Sequence, residues 1–298
     1  MGVVAIFGPT ASGKSAVAEA LTERIPAELV SADAMQAYRG LPILTNQSEA
    51  PAQLVAIWPL DHEGSVGEYA ALAHAAIDEI LAAGRTPVVV GGTGLYLRAA
   101  LADLELPAPS GERGRWEAFY DERGGEAAHA RLAELDPAAA ALVHPNDRRR
   151  VVRALELAAA GESLAPSEGR LWSEAARHPT LVVGLEVPKA ELERRIEART
   201  RAMFEAGVAE EARRALAGAL SETARKTLGL EEAATLSRED ARAAIAQRTR
   251  RYAAYQRKWM RRIPGLVSVA ADRPAGEVAD EILEVARARQ YLPAAGGR

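Results

Sequence analysis

Residues 8–15 read GPTASGKS, which matches the pattern G-x-x-x-x-G-K-[ST] of a phosphate-binding loop. The apolar run Val3–Phe7 precedes this stretch and the helix-forming segment Ala16–Arg24 follows it, so the local order is strand, glycine-rich turn and helix. Such a loop directs backbone N–H groups at a phosphate held at the positive end of the helix. We expect Lys14 to contact the phosphate oxygens and the Ser15 hydroxyl to bind Mg²⁺. The predicted phosphate site consists of Gly8, Pro9, Thr10, Ala11, Ser12, Gly13, Lys14 and Ser15.

The composition fits a protein of the reducing cytosol but does not by itself establish that location. The 298 residues include 48% hydrophobic side chains, and there is no cysteine, which excludes disulfides and thiolate metal sites. No apolar run is long enough to cross a bilayer, and a predicted strand begins almost at the first residue, which argues against a signal peptide. We therefore expect a cytoplasmic protein with no membrane segment. The net charge of −4 is only weak evidence against nucleic acid, because a phosphate backbone responds to local basic patches.

Residues 1–106 alternate between predicted strands and helices, which is the pattern of an α/β fold. The elements predicted after the first helix are strands at Glu28–Ser31, Ala52–Leu60 and Thr86–Val90 and a helix at Gly67–Ala83. Asp33 follows the second strand, and Thr93 follows the strand that ends at Val90. Ligands of open α/β sheets bind at the carboxyl ends of the strands. The sequence therefore predicts that Lys14, Asp33 and Thr93 meet in one crevice.

The rest of the chain divides into a helical insertion and a second part of the core. Residues 107–112 read PAPSGE, a proline- and glycine-rich joint, and the segments after it are helical in pattern. We expect an all-helical insertion domain over residues 107–179. A predicted strand at Thr180–Val187 returns the chain to the sheet, and residues 180–290 form the second part of the core, including a basic helix at 240–262. Residues 291–298 are expected to be a disordered tail.

The predicted helix at 240–262 has an unusual distribution of charge. From residue 242 to residue 262 there are eight basic residues and no acidic one, namely Arg242, Arg248, Arg250, Arg251, Arg257, Lys258, Arg261 and Arg262. A separate face of the same helix consists of Ile245, Thr249, Tyr252, Gln256 and Trp259. An unmixed basic run is typical of a surface that binds a polyanion, although acidic elements elsewhere in the fold could neutralise it.

A second basic cluster, DRRRVVR at 147–153, lies inside the predicted insertion. Its Arg149, Arg150 and Arg153 fall on one side of a helix. Two such patches in separate parts of an acidic protein favour nucleic acid over a small anion as the partner.

Several motifs occur in the order found in one known family. They are GPTASGKS from Gly8, SADAMQAYRG from Ser31, GGTGLYL from Gly91, HPNDRRRVVRALE from His144, RAMFEAGVAEE from Arg201 and YAAYQRKWMRR from Tyr252. Apart from the phosphate-binding loop each motif is weak, but the ordered set is specific and covers most of residues 1–265. On this set the chain resembles the tRNA dimethylallyltransferases, also called isopentenyl-tRNA transferases.

The resemblance implies a P-loop-kinase-like parallel sheet flanked by helices, with the insertion helping to clamp the anticodon stem-loop of tRNA. It also implies an activity, the transfer of a dimethylallyl group from dimethylallyl diphosphate to N6 of the adenosine immediately 3′ of the anticodon. In this family the loop holds the diphosphate of the donor and Mg²⁺ assists. We further expect a monomer.

By position, the resemblance also implies roles for individual residues. Asp33 is the expected base for the adenine amine, Thr93 is expected to hydrogen-bond the donor, and Lys14 to stabilise the departing diphosphate. Arg201 is expected to reach the same diphosphate. The target base must be flipped into the pocket. The residues expected to contact the RNA are Asp33, Ala34, Met35, Gln36, Thr93, Arg115, Arg149, Arg150, Arg153 and Arg225.

Other interpretations of these residues stay open at this point. Asp33 could be a helix N-cap or a Mg²⁺ ligand, and Thr93 could cap the helix that begins near Leu95. Arg201 could be a solvated helix residue. A small-molecule or nucleotide kinase would have the same loop and would use Asp33 as the base for a hydroxyl. A non-catalytic RNA-binding or NTP-binding module is a third possibility.

The chain departs from the family pattern in two places. After Tyr38-Arg39-Gly40 the family usually continues D-I-G-T-A-K-P, whereas residues 42–47 here read PILTNQ and lack the lysine. Residues 228–231 read LGLE where the family has I-G-Y-[KR], which removes an aromatic ring and a positive charge. We expect these changes to affect contacts with the tRNA loop and to leave the phosphate site intact.

Overall fold

A six-stranded, all-parallel sheet forms the centre of the larger of two units in the computed structural model, which describes residues 2–103, 111–165 and 176–292. The strands are β1 Val3–Phe7, β2 Ala27–Ser31, β3 Ala52–Gln53, β4 Thr86–Gly91, β5 Thr180–Glu186 and β6 Val267–Ala270. Their order across the sheet is β3-β2-β4-β1-β5-β6. Every residue of β1 is buried, as expected of a central parallel strand that is covered on both faces.

Helices flank this sheet, and the apolar faces of several of them form the main core with it. The helices of this unit are α1 Lys14–Thr22, α2 Pro42–Thr45, α3 Val66–Ala82, α4 Gly94–Leu101, α8 Lys189–Glu205, α9 Val208–Leu216, α10 Glu222–Arg225, α11 Leu230–Thr235, α12 Arg238–Met260 and α13 Ala275–Ala288. Leu21 of α1 and Ile282 of α13 belong to the same buried cluster as Val4 and Leu181 of the sheet. The predicted α/β class, a parallel sheet flanked by helices, is confirmed.

In the described part of the second unit, residues 111–165, all regular secondary structure is helical. It consists of α5 Arg113–Leu135, α6 Pro137–Ala140 and α7 Arg148–Ala159. Gly124, with φ 80° and ψ 164°, divides α5 into two helical segments. Leu132, Val151 and Leu155 lie in the buried core of this unit.

Residues 176–179 belong to the larger unit, whereas the sequence placed them in an insertion over 107–179. The backbone N–H of Arg177 donates to the Leu101 carbonyl at 2.8 Å, and its guanidinium binds Asp78 at 3.1 Å. His178 contacts the same carboxylate at 2.7 Å. These bonds attach the segment to α3 and α4. Residues 107–110 of the predicted joint lie outside the described residues.

The third strand is much shorter than the predicted Ala52–Leu60. It ends at Gln53, because Leu54 (φ 65°) and Ala56 (φ 52°) adopt left-handed backbone angles that interrupt an extended chain. The backbone N–H of Trp58 instead donates to the Ala37 carbonyl at 2.9 Å.

The end of the chain is ordered slightly further than predicted. Leu292 is buried in the main core, and the Tyr291 carbonyl accepts a hydrogen bond from the Gly2 amide at 2.9 Å. The tail predicted over 291–298 is therefore packed at its first two residues, and residues 293–298 lie outside the described part.

The sheet positions the site, because β1, β2 and β4 are adjacent and parallel. Their carboxyl ends at Phe7, Ser31 and Gly91 lie on one edge, where the phosphate-binding loop, Asp33 and Thr93 follow them. None of the helices in the described residues is both long and apolar enough to span a bilayer.

Candidate active site

The phosphate-binding loop ends at the first turn of α1. Gly13 adopts a left-handed conformation, with φ 92°, in which glycine is favoured because it has no Cβ. The backbone N–H groups of Gly13, Lys14 and Ser15 have no hydrogen-bond acceptor among the described residues. They lie at the positive end of the helix dipole, so this turn can bind an anion.

Helix α12 supports the loop through one buried side chain. Gln256 is 2% exposed; its Oε1 accepts the Thr10 amide at 2.7 Å, and its Nε2 donates to the Gly92 carbonyl at 2.8 Å. The amide of a single glutamine therefore joins the loops that follow β1 and β4.

A cavity of about 690 Å³ opens beside the loop. Its lining comprises Thr10, Ala11, Gly13, Lys14, Ser15, Ala16, Asp33, Met35, Gln36, Leu44, Thr45, Asn46, Arg195, Ile196, Arg199, Thr200, Met203, Lys226, Thr227, Leu228, Ile245, Arg248, Thr249, Tyr252 and Gln256. The lining includes four of the five residues on the uncharged face of α12, namely Ile245, Thr249, Tyr252 and Gln256. The cavity has cations and a carboxylate around the loop and apolar side chains such as Met203 and Ile245, so it suits an anion with an apolar tail.

Lys14 and Asp33 occupy this cavity together, as predicted. The Lys14 ammonium donates to the Pro9 carbonyl at 2.7 Å. Burial lowers the pKa of Lys14 to about 8; the negative charge of Asp33 opposes this effect and the positive charge of Arg199 adds to it. The ammonium is therefore charged at neutral pH but close to its titration range.

The segment after β2 is held in a tight turn. Asp33 Oδ1 accepts the Met35 amide at 3.0 Å, and residues 34–37 form turns rather than a regular helix, so Asp33 does not cap a helix. Gln36 accepts from the Ser31 hydroxyl at 2.9 Å and donates to the Asn46 carbonyl at 3.0 Å. Asp33, Met35 and Gln36 reach the cavity, whereas the buried Ala34 is not part of its lining.

The arginine beside the loop is Arg199 rather than the predicted Arg201. Arg199 Nη1 donates to the Thr10 hydroxyl at 2.8 Å, and Arg195 Nη1 approaches the Ser12 carbonyl at 3.4 Å. Burial lowers the pKa of Arg199, and the Asp33 charge opposes that shift. Arg201 is exposed and lines a separate groove with Arg238 and other residues. Residues two apart on a helix point to nearly opposite sides, so the prediction for Arg201 was wrong.

Thr93 does not line the cavity, but it contacts a residue that does. It is the N-cap residue of α4, but its side chain makes no capping hydrogen bond. Instead, its Oγ1 is 3.4 Å from the hydroxyl of Tyr252, which lines the cavity. Burial and the Asp33 charge raise the pKa of Tyr252 to about 12, so its hydroxyl stays protonated at neutral pH.

The segment that departs from the family pattern forms α2, and its carboxyl end reaches the cavity. Glu211 of α9 is buried and accepts the amides of Ile43 and Leu44 at 2.9 and 2.8 Å, which satisfies two N–H groups at the start of α2. Gln47 Nε2 donates to the Tyr38 carbonyl at 2.9 Å. Leu228, in the second departing stretch, lines the cavity. These changes leave the phosphate-binding loop intact.

Most of the predicted RNA-binding arginines are exposed on the surface of their own unit. Arg225 is exposed at the end of α10 and is not in the cavity lining, whereas the adjacent Lys226 is. In the second unit Arg115, Arg149 and Arg150 are exposed. Arg153 is partly buried and pairs with the buried Glu156 at 2.7 Å.

Ser15 is the residue best placed to bind Mg²⁺ in this cavity. No cluster of three or more His, Cys, Asp or Glu side chains suited to a metal occurs in the described residues. Mg²⁺ usually keeps several waters and binds substrate phosphates with only one or two protein oxygens. The Ser15 hydroxyl beside Lys14, in a cavity that also contains the Asp33 carboxylate, is compatible with that mode of binding.

A parallel sheet with a phosphate-binding loop after β1, and with a carboxylate and cations facing the same cavity, defines a P-loop-like α/β fold. The family model described as IPP transferase matches residues 36–263, and the one described as Isopentenyl transferase matches residues 1–53. The chain belongs to the IPP transferase family.

Relatives and solved structures agree with this assignment. The chain is 44% identical over 290 residues to the tRNA dimethylallyltransferase of Anaeromyxobacter dehalogenans strain 2CP-C, covering 91% of this chain and 95% of that one. It is 38% identical over 291 residues to the tRNA dimethylallyltransferase of Thermobifida fusca, covering 91% of each.

Among solved structures, the full-length tRNA isopentenylpyrophosphate transferase of Bacillus halodurans matches with a TM-score of 0.71 at 29% identity, covering 97% of each chain. A eukaryotic dimethylallyltransferase acting on tRNA matches with a TM-score of 0.82 at 25% identity, covering 99% of this chain and 81% of that one.

Arg199, Tyr252 and Gln256 are site residues to which the sequence analysis gave no role. Tyr252 and Gln256 lie on the uncharged face of a basic helix. A face without charge on such a helix packs against the protein or lines a site, so this pattern could have identified them. For Arg199 the sequence contains no comparable signal, because it is one of several arginines on α8.

Proposed function

We propose that the chain transfers the dimethylallyl group of dimethylallyl diphosphate to N6 of the adenosine immediately 3′ of the anticodon in tRNA. The names of the relatives support this reaction. The observation that carries the proposal is the presence of Asp33 and Lys14 in one cavity beside the phosphate-binding loop. Asp33 is therefore available as the base for the attacking amine, and Lys14 is available to stabilise the leaving diphosphate.

In this reaction the N6 nitrogen forms a bond to C1 of the dimethylallyl group as the bond from C1 to the diphosphate oxygen breaks. The electron pair of the breaking bond leaves with the diphosphate. The proton of the adenine amine passes to Asp33, whose Oδ1 is oriented by the Met35 amide. An exocyclic amine is a weak nucleophile, so a carboxylate aimed at its N–H increases its reactivity.

The cations around the loop would stabilise the charge on the departing diphosphate. Lys14 and Arg199 line the cavity, and Arg199 is already oriented by its bond to Thr10. The amides of Gly13, Lys14 and Ser15 can supply further donors without reorganisation. The neutral Tyr252 hydroxyl, with Thr93 behind it, can donate a hydrogen bond to the donor or the base.

The Ser15 hydroxyl would hold Mg²⁺ together with diphosphate oxygens. When bound, the ion neutralises part of the diphosphate charge and makes it a better leaving group. The chain's own residues orient the donor and accept the proton.

The acceptor would be an unpaired base of the anticodon loop, because single-stranded bases cost least to unstack and flip. The exposed Arg115, Arg149 and Arg150 of the second unit are suited to contacts with RNA phosphates. Arg153 is proposed as a further contact with RNA on the same helix. Arg225 is proposed as an additional RNA contact on the larger unit.

The test is to incubate the chain with radiolabelled dimethylallyl diphosphate, Mg²⁺ and undermodified tRNA and to locate the label. Label on the adenine amine supports the reaction, and no transfer at saturating donor contradicts it. Omitting Mg²⁺ tests the cofactor separately. Brisk phosphoryl transfer from ATP to a small acceptor without RNA would instead support a kinase, an alternative that the relatives do not favour.

We also propose that the chain is a monomer and acts in the cytoplasm. Light scattering after size-exclusion chromatography tests the first point, and a mass of two chains would contradict it.

A further inference from the structure

Two glutamine side chains join the end of α2 to the turn that follows β2. Nε2 of Gln36 donates to the carbonyls of Thr45 and Asn46 at 3.2 and 3.0 Å. Nε2 of Gln47 donates in the opposite direction, to the carbonyls of Gln36 and Tyr38 at 3.2 and 2.9 Å. Each segment is therefore held to the other by a side-chain amide. We call Gln36 and Gln47 the glutamine clasp.

The clasp fixes the backbone on both sides of Asp33. On one side, the hydroxyl of Ser31, a residue that is 5% exposed, donates to Gln36 Oε1 at 2.9 Å. On the other side, the turn ends at the fully buried Tyr38. Asp33 lies between them, and its Oδ1 accepts the Met35 amide at 3.0 Å. The direction of the Asp33 carboxylate therefore depends on where the clasp holds this turn.

Gln36 and Gln47 differ in their relation to the cavity. Gln36 lines it, but both N–H groups of its amide are already used by carbonyls of the chain. The residues that line the cavity do not include Gln47, which is partly buried and directs its amide at backbone carbonyls. Gln47 therefore acts on the site only through the turn that it holds.

Gln47 occupies the position of the missing family lysine. When PILTNQ at 42–47 is aligned with D-I-G-T-A-K, the residues at positions 43 and 45 are identical and the lysine falls at position 47. An ammonium has three donors and no acceptor, so it can make the same two bonds to carbonyls that the Gln47 amide makes. In this chain the substitution removes a charge but keeps the donor.

We propose that Gln47 is a positioning residue for Asp33 and that its N–H groups, rather than any charge at position 47, are what the site requires. The kinetic part of this proposal rests on the proposed function. The opposite interpretation is that position 47 matters only through a charge that attracts RNA, which this chain has lost. The two interpretations differ in what glutamate and lysine would do at this position.

The first test measures hydrogen exchange of the full chain without substrate. Gln47→Glu keeps the shape of the side chain but has no N–H, and Gln47→Ala removes the donor without adding charge. Both should speed exchange in residues 31–38 by about tenfold, because the turn opens more often, and leave residues 8–15 unchanged. Gln47→Lys should stay within about twofold of the unsubstituted chain. Gln53→Glu, at an exposed position of β3, is the matched control and should have no effect.

The second test measures prenyl transfer. Gln47→Ala and Gln47→Glu should lower kcat by roughly 10- to 100-fold, because a misplaced base is a poorer one, with the KM for dimethylallyl diphosphate within about twofold. Gln47→Lys should restore kcat. If kcat and donor affinity fall together, the substitution loosens the whole site and the positioning role is contradicted. If Gln47→Ala leaves kcat unchanged and Gln47→Lys only tightens RNA binding, position 47 acts through charge and the proposal is overturned.

The exchange experiment also separates this inference from the reaction itself. If exchange in residues 31–38 is the same in Gln47→Ala as in the unsubstituted chain, which still transfers the prenyl group, the clasp is overturned and the function stands. If Gln47→Ala and Gln47→Glu show the expected exchange but the unsubstituted chain transfers nothing, the clasp is supported and the proposed reaction is overturned.

Discussion

The guanidinium of Arg199 donates a hydrogen bond to the hydroxyl of Thr10 at 2.8 Å, which joins α8 to the phosphate-binding loop. Arg201, two residues later, faces a different groove. Arg199→Gln should therefore weaken binding of dimethylallyl diphosphate about ten- to a hundredfold, since a charge-assisted hydrogen bond is lost. Isothermal titration with the donor measures this change.

Arg201→Gln is the matched control, because it removes the same charge from the same helix. Its donor affinity should equal that of the unsubstituted chain. Equal losses in both variants would show that the general positive charge of α8, and not the geometry of Arg199, determines donor binding.

Donor binding should depend on the protonation of Lys14. Burial lowers its pKa to about 8, so the ammonium is charged below that pH and neutral above it. Because the diphosphate binds the charged form, donor affinity should change little between about pH 7 and this pKa, where the diphosphate is fully ionised, and should fall by about tenfold per pH unit above it. Lys14→Arg keeps its charge over this range, so any affinity that it retains should not change with pH. A decline in this variant as well would assign the titration to another group.

Asp33→Asn should separate catalysis from RNA binding. The amide oxygen can still accept the Met35 N–H, so the turn is preserved, but the base is lost. We expect kcat to fall by about 10²- to 10⁴-fold with little change in the affinity for tRNA. The negative charge of Asp33 raises the pKa of Lys14, so its removal should lower that pKa. The decline of donor affinity with rising pH should therefore begin at a lower pH in Asp33→Asn than in the unsubstituted chain. Undiminished kcat would exclude Asp33 as the base.

Gln256→Ala should destabilise the fold around the site. The substitution leaves the Thr10 amide and the Gly92 carbonyl without the bonds that Gln256 provides, at a cost of roughly 2 kcal/mol in the free energy of unfolding. Denaturant unfolding measures this loss. Gln247→Ala, at an exposed position of the same helix, is the control and should change stability by less than about 0.5 kcal/mol.

The local parts of the site were predictable because they depend on neighbours in the chain. The sequence around Lys14 contains its own strand, turn and helix, and Asp33 follows a short apolar strand. Parallel strands must end at a common edge, so the meeting of these two residues in one cavity follows from chain order. The same reasoning correctly placed Thr93 at the carboxyl edge of the sheet. It did not predict that Tyr252 lies between Thr93 and the cavity.

The residues that sequence reasoning missed depend on how helices rotate against the sheet. Several arginines of α8 are equivalent in the sequence. Burial of Leu192, Ile196 and Met203 rotates the helix so that Arg199 faces the loop and Arg201 does not. Likewise, the cations of α12 could all have been free or all neutralised, and only the fold shows that Arg248 and Arg250 have acidic partners.

The sequence by itself determined the class of fold, the phosphate-binding loop and the strand-end position of Asp33, because each of these is encoded within a short stretch of chain. Tertiary structure decided which arginine faces the loop, which tyrosine closes the cavity and which cations stay unpaired. Those outcomes depend on contacts between residues far apart in the chain, as Gln256 with Gly92 and Glu211 with Leu44 illustrate, and no local pattern specifies such contacts.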